Sequence, residues 1–126
     1  MIDKKGYIKL TDFGLSKIGM DRTYSLCGTP EYIAPEVLTM RGHNKMVDYW
    51  TLGCLVYEML ANAPPFQSKT ENILFNLIKQ GKYSFPNYFS DSAKKFISAL
   101  LVVNVSLLSR FTLPSNFKSI GVNNLA

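Results

Sequence analysis

"MVDYWTLGCLVYEML", residues 46 to 60, decides the fold, because its apolar side chains fall on nearly every face of an α-helix. A helix that is apolar all round is written to be buried. Asp48 in its first turn and Glu58 near its end must then each find a partner, since an unpaired buried charge is strongly unfavourable. Trp50, Leu52 and Leu55 are read as core. "NAPPF" (62 to 66) ends the helix, because proline cannot continue it.

Downstream, Ser68 and Glu71 have the spacing of a capping box, and Ile73, Leu74, Leu77 and Ile78 make one apolar face before Gly81 closes the helix. Ser90 caps a further helix whose apolar face is Ala93, Phe96, Ile97, Leu100 and Leu101. Upstream, "GYIKLTD" (6 to 12) alternates apolar and polar residues, which predicts a short strand. Residues 14 to 36 carry Gly14, Gly19, Gly28, Pro30 and Pro35 and read as a long irregular loop, the kind that in a small domain is functional or disordered.

The length of 126 residues allows one domain with a modest core. With 47% hydrophobic and 18% charged residues the composition is that of a globular chain rather than a disordered one. A net charge of +5 arises from 14 basic and 9 acidic residues, and no basic run exceeds the Lys4-Lys5 and Lys94-Lys95 pairs. A nucleic-acid or membrane surface would cluster them, so neither partner is expected. Cys27 and Cys54 lack metal-ligand spacing and His43 stands alone, which fits reduced thiols in a cytosolic or nuclear setting. No secretory leader is visible at Met1, and "FISALLVVNVSLL" (96 to 108) falls short of the ~20 residues of a spanning helix.

Asp12-Phe13-Gly14 stands at the end of the strand. A carboxylate there can reach a Mg²⁺ that bridges nucleotide phosphates, with the Phe packed underneath and the Gly turning the backbone. Taken alone, the tripeptide is equally a strand followed by an ordinary glycine turn. Twenty-two residues on comes Ala34-Pro35-Glu36, preceded by "RTYSLCGTPEYI" and followed by "VDYWTLGCLVYEML" and "PPF". Together these motifs resemble the back half of a eukaryotic protein kinase domain, from its metal-binding Asp through the activation segment into the helical lobe. "LCGTPEYIAPE" is similar to the basic-directed Ser/Thr kinases of the AGC group, which includes the cyclic-nucleotide-dependent enzymes. The resemblance covers residues 2 to 103.

The implied fold is mainly α: a partial kinase C-lobe with a short N-terminal strand or hairpin, a long activation loop and then several helices. Its divisions would be a metal-binding strand and activation segment (7–36), a helical lobe (37–110) and a divergent tail (111–126). The resemblance implies that Asp12 chelates Mg²⁺ and that Thr11 lies beside the nucleotide, ATP, with Phe13 and Gly14 in support. Ser25 falls at the activation-loop phosphorylation position, a substrate for an activating kinase, where a phosphate orders the loop if it meets basic groups; the alternative is a plain loop serine. Leu26, Pro30 and Ile33 would line the pocket for an apolar residue just after the target residue. Thr29 looks like the threonine that marks Ser/Thr specificity.

Glu58 matches the position that receives an arginine upstream of the target Ser or Thr, braced by Tyr32, through a charge-assisted contact. The alternative is a helix-end carboxylate facing water. Asp48 resembles the buried Asp that braces the catalytic loop, and Glu36 would pair with Arg110. "VSLLS" sets Arg110 further from the late helix than the family pattern does. The Gly-rich loop, its lysine and glutamate, and the His-Arg-Asp loop with the general base find no match. The reading is a fragment of an ATP-dependent protein Ser/Thr kinase directed at Arg-containing substrates and inactive alone. The alternative is a non-catalytic kinase-like module that binds substrate-like peptides or a whole kinase.

Overall fold

The computed structural model describes residues 1–14, 16, 29–40 and 42–104. The apolar run forms α2 (Met46–Ala61), and the remaining helices are α1 (Pro35–Leu38), α3 (Glu71–Gln80) and α4 (Asp91–Leu100). A single 3-10 turn, Pro30–Tyr32, precedes α1. Strand structure among the described residues is limited to isolated bridges, among them a minimal hairpin in which Ile2 bridges Ile8. The architecture is therefore mainly helical, as the sequence implies.

α2 turns Trp50, Gly53, Cys54 and Tyr57 inward. Trp50 stacks on Phe66 with ring centroids 5.5 Å apart and planes 8° from parallel. Tyr57 meets Tyr83, Phe85 and Phe89, and its hydroxyl donates to the Ser84 carbonyl at 2.7 Å. The polar tip is thus satisfied while the ring adds apolar area to the core. At its end Asn62 enters the left-handed region (φ 56) and its N–H returns to the Glu58 carbonyl at 2.7 Å, before Pro64 and Pro65 carry the chain away.

α4 packs on α2 through an unusually close approach. A Cβ on Gly53 would lie 2.8 Å from Leu101 Cδ2 and 2.9 Å from Leu100 Cβ, so only glycine admits α4 at this depth. Ser90 caps α4 as expected, accepting from the Ala93 N–H at 3.2 Å, and Ile97, Leu100 and Leu101 are buried. α3 ends at Gly81 (φ 62), where a side chain would meet Val103 Cγ2 at 2.7 Å as well as an unfavourable backbone.

Several expectations need correction. α3 starts at Glu71 with Thr70 as its N-cap, and Ser68 Oγ instead accepts from the Thr70 N–H at 3.3 Å, so the capping box does not form. Ile73 is exposed rather than sharing the buried face of Leu74 and Ile78. Leu55 is 45% exposed and Met59 67%, so α2 is covered on one side only. The reason is that its described neighbours, α4 and the 3-10 turn, both lie against the Trp50 side. The segment read as irregular loop holds the 3-10 turn and α1, each opened by a proline at its first turn.

Residues 1 to 9 form the hairpin of the two N-terminal forms expected. The Asp3 N–H donates to the Tyr7 carbonyl at 2.9 Å, and Gly6 (φ 87) makes the turn. Asp3 Oδ1 accepts from the Lys5 and Tyr7 N–H groups, which fixes the turn in place. Ile2, Ile8 and Leu10 stay exposed.

Candidate functional site

Asp12 follows the hairpin with φ 65, a region that Asp tolerates better than most residues. Its carboxylate is exposed, and Oδ1 accepts from the Gly14 N–H at a long 3.5 Å. Thr11 is exposed beside it. Phe13 is 66% exposed. Among the described residues no group of three or more His, Cys, Asp and Glu side chains converges. Asp12 fits Mg²⁺ only as one carboxylate ligand, with phosphate and water supplying the remaining oxygens, a common arrangement for this ion.

A second cluster forms where the 3-10 turn meets α2. The Tyr32 hydroxyl donates to Glu58 Oε2 across 26 residues of sequence. Burial, then Glu58 as acceptor and as negative neighbour, pushes the Tyr32 pKa up to about 12, so the phenol remains a donor at neutral pH. Glu58 is half-buried and keeps an edge toward solvent. One helical turn earlier, Cys54 is fully buried, and burial followed by the Glu58 charge raises its thiol to about 12. Cys54 is thus an inert packing group under the carboxylate. Its place was readable from spacing, since residues four apart share a helix face.

The same turn gathers other candidates. The Thr29 carbonyl accepts from the Tyr32 N–H at 3.0 Å, and that of Pro30 from the Ile33 N–H at 3.3 Å. Thr29 is exposed, Pro30 half-buried and Ile33 buried against the core. Thr29, Pro30, Ile33 and Glu58 therefore share one neighbourhood. Among the described residues no hydrogen bond or ion pair ties the hairpin carrying Asp12 to it. Ser25, Leu26 and Arg110 lie outside the described residues.

The two remaining acidic positions behave differently. Glu36 is half-buried in the first turn of α1, and burial raises its pKa against the opposing pull of its own backbone N–H and of His43. No ion pair reaches it among the described residues. Asp48 is exposed in the first turn of α2, on the uncovered side with Leu55 and Met59. Sequence reasoning did not anticipate that Trp50 Nε1 is buried without a hydrogen-bond partner among the described residues.

A model of the protein kinase domain matches residues 1–119. The chain belongs to the protein kinase family. Its relatives include the cAMP-dependent protein kinase, catalytic subunit-like protein of Caenorhabditis elegans, 48% identical over 104 residues that make up 82% of this chain and 26% of the relative. The cAMP-dependent protein kinase catalytic subunit PRKX of Homo sapiens is 47% identical over 82% of this chain and 29% of its own. The cAMP-dependent protein kinase type 3 of Saccharomyces cerevisiae is 42% identical over 84% and 27%. The chain spans little more than a quarter of the length of these relatives. No helix among the described residues is long and apolar enough to cross a membrane.

Proposed function

We propose that this kinase-family chain forms part of the substrate-binding side of an ATP-dependent protein Ser/Thr kinase, and that it recognises an arginine upstream of the target residue through Glu58. The observation that carries this reading is the Tyr32 hydroxyl held on Glu58. That contact fixes one carboxylate oxygen and orients the other for a guanidinium, whose rigid fork rewards a pre-set acceptor. Thr29, Pro30, Ile33 and, outside the described residues, Leu26 would receive the target residue and the one after it. Ser25 would be the site where an activating kinase adds phosphate.

Asp12 would hold Mg²⁺, with Thr11 beside ATP; the ion would neutralise charge on the transferred phosphoryl group. Residues 7–36 would then be the metal-binding and activation segment, 37–110 the helical lobe, with Glu36 and Arg110 paired across it, and 111–126 a divergent tail. The inert, buried Cys54 fits a cytosolic or nuclear setting. Phosphoryl transfer depends on positioning by many parts acting as a unit, and this sequence holds neither the Gly-rich loop nor the general base. The 126 residues alone are expected to transfer no phosphate.

The test is binding of a fluorescent peptide with arginines upstream of a serine, against its alanine-substituted twin. Glu58→Gln should weaken the arginine peptide at least tenfold and leave the twin unchanged, and Tyr32→Phe should fall between. Equal binding of both peptides would overturn the reading.

A further inference from the structure

Most of the described serines and threonines are held in place by their own surroundings. The Thr39 and Thr51 hydroxyls donate to the carbonyls of Glu36 and Asp48. Ser90 caps α4, and Ser98 on the same helix is met by the Tyr83 hydroxyl at 3.5 Å. Ser84 stands between Tyr83 and Phe85, whose rings pack on each other and on Tyr57, and its carbonyl accepts from the Tyr57 hydroxyl. Thr70 is the N-cap of α3, and its carbonyl accepts from the Leu74 N–H at 3.1 Å. Phosphoryl transfer needs the accepting hydroxyl in line with the γ-phosphate inside a cleft, so a target residue must leave its own fold to reach it. Drawing out any of these would break a helix turn or open the core.

Ser68 differs. Gln67, Ser68 and Lys69 are exposed, belong to no helix or strand, and among the described residues make no backbone–backbone hydrogen bond. Ser68 Oγ accepts one long bond, from the Thr70 N–H at 3.3 Å, and its own proton has no acceptor among the described residues. The hydroxyl can therefore be presented with the loss of one weak bond. Charge then supplies a direction. Glu71, exposed at the start of α3, stands three residues after Ser68, and no other serine or threonine of the chain has an acidic residue at that spacing. Pro65, Phe66 and Gln67 before it are uncharged, in contrast to Ser25, which Arg22 precedes by three. Lys69 opposes Glu71 in part. Basic groups in a kinase cleft would take the Glu71 carboxylate in charge-assisted hydrogen bonds, one of the ways in which kinases choose among serines.

We infer that Ser68 is a phosphorylation site for a Ser/Thr kinase that selects an acidic residue three places after its target. The reaction joins Ser68 Oγ to the γ-phosphorus of ATP and breaks the bond from that phosphorus to the β–γ bridging oxygen. ADP leaves with the electron pair, and the hydroxyl proton passes to the base of the modifying kinase. The product places nearly two negative charges on the connection between α2 and α3 and takes the net charge from +5 to about +3. The modifying enzyme is a separate protein, so this inference stands independently of the activity proposed above.

The experiment incubates the 126-residue chain with casein kinase II, an acidic-directed enzyme, and Mg²⁺-ATP. Phosphate is counted by intact mass and located by peptide mass spectrometry. One phosphate, on Ser68, is expected. Ser68→Ala should abolish it, Glu71→Gln should slow it at least tenfold, and Lys69→Gln should not slow it. Because Glu71 also opens α3, a peptide of residues 62 to 74 is assayed with and without Glu71→Gln, and the same slowing is expected there, where no helix is at stake. An unmodified chain beside a modified peptide would show that the fold withholds Ser68 and would overturn the inference. So would phosphate confined to another residue, or a Glu71→Gln rate equal to that of the unsubstituted chain.

Discussion

Gly53→Ala tests the contact on which α2 and α4 meet. The new methyl would stand 2.8 Å from Leu101 Cδ2, 2.9 Å from Leu100 Cβ and 3.0 Å from Leu101 Cγ. The Leu101 tip can rotate away, but Leu100 Cβ moves only with the backbone of α4. Overpacking of this kind costs ~1–3 kcal/mol, and the Ala gain in helix propensity returns about 1 kcal/mol. With one of the three contacts anchored to backbone, the upper part of that range applies, leaving a net loss of about 1–2 kcal/mol. For a domain of this size that lowers Tm by ~4–16 °C, and the urea midpoint falls by about 1 M. Trp50 is the only tryptophan and is stacked in the core, so its fluorescence follows the transition. Leu101→Ala in the same background removes two of the three contacts and should recover about 1 kcal/mol as non-additivity. A Gly53→Ala variant that gains stability would refute the close approach, because propensity alone would then be acting.

Three further outcomes are expected. Ser90→Ala removes the acceptor of the Ala93 N–H and should cost ~1 kcal/mol by urea denaturation, whereas Ser68→Ala, which caps nothing, should be near neutral. Glu36 has its carboxyl pKa raised by burial, so its contribution is favourable below the ordinary 4.5 and is lost as pH rises through the folded value. Glu36→Gln should accordingly raise Tm at pH 7 with the gain fading by pH 4, and a fall at pH 7 would instead reveal an ion pair with Arg110. In a Cys27→Ser background, Cys54 should resist a thiol reagent at pH 8, where a pKa of about 12 leaves roughly one thiolate in ten thousand, and should react fully in denaturant.

The sequence made α2 legible almost to the residue, because fifteen consecutive mostly apolar positions without a proline, followed by two prolines, leave few alternatives. Gly81 and Ser90 were readable for the same local reason: each does its work within one turn of chain. Ser68 misled because Thr70, two residues on, is another residue of N-cap type, and spacing alone does not choose between them. Leu55 and Ile73 misled differently. Periodicity says which side chains share a face, but whether a face is covered depends on what else the fold brings there. In the site, the motif pointed to Glu58 and Tyr32 together, and the structure holds them in one hydrogen bond, while the lack of any bond from Asp12 to that cluster among the described residues has no sequence signature.

The glycine seats have one more consequence. Leu100 and Leu101 rest on Gly53 of α2, and Val103 rests on Gly81 at the end of α3, so the last described turn straps both helices together. The bend at Gln67 to Thr70, by contrast, is wholly exposed and holds no such contact. A protease nicking after Lys69 would sever the backbone yet leave the straps intact, and the two peptides should travel as one particle. Trimming the chain back to Ser98 would remove both straps at once, so the integrity of this small body is governed by its exit rather than by its middle.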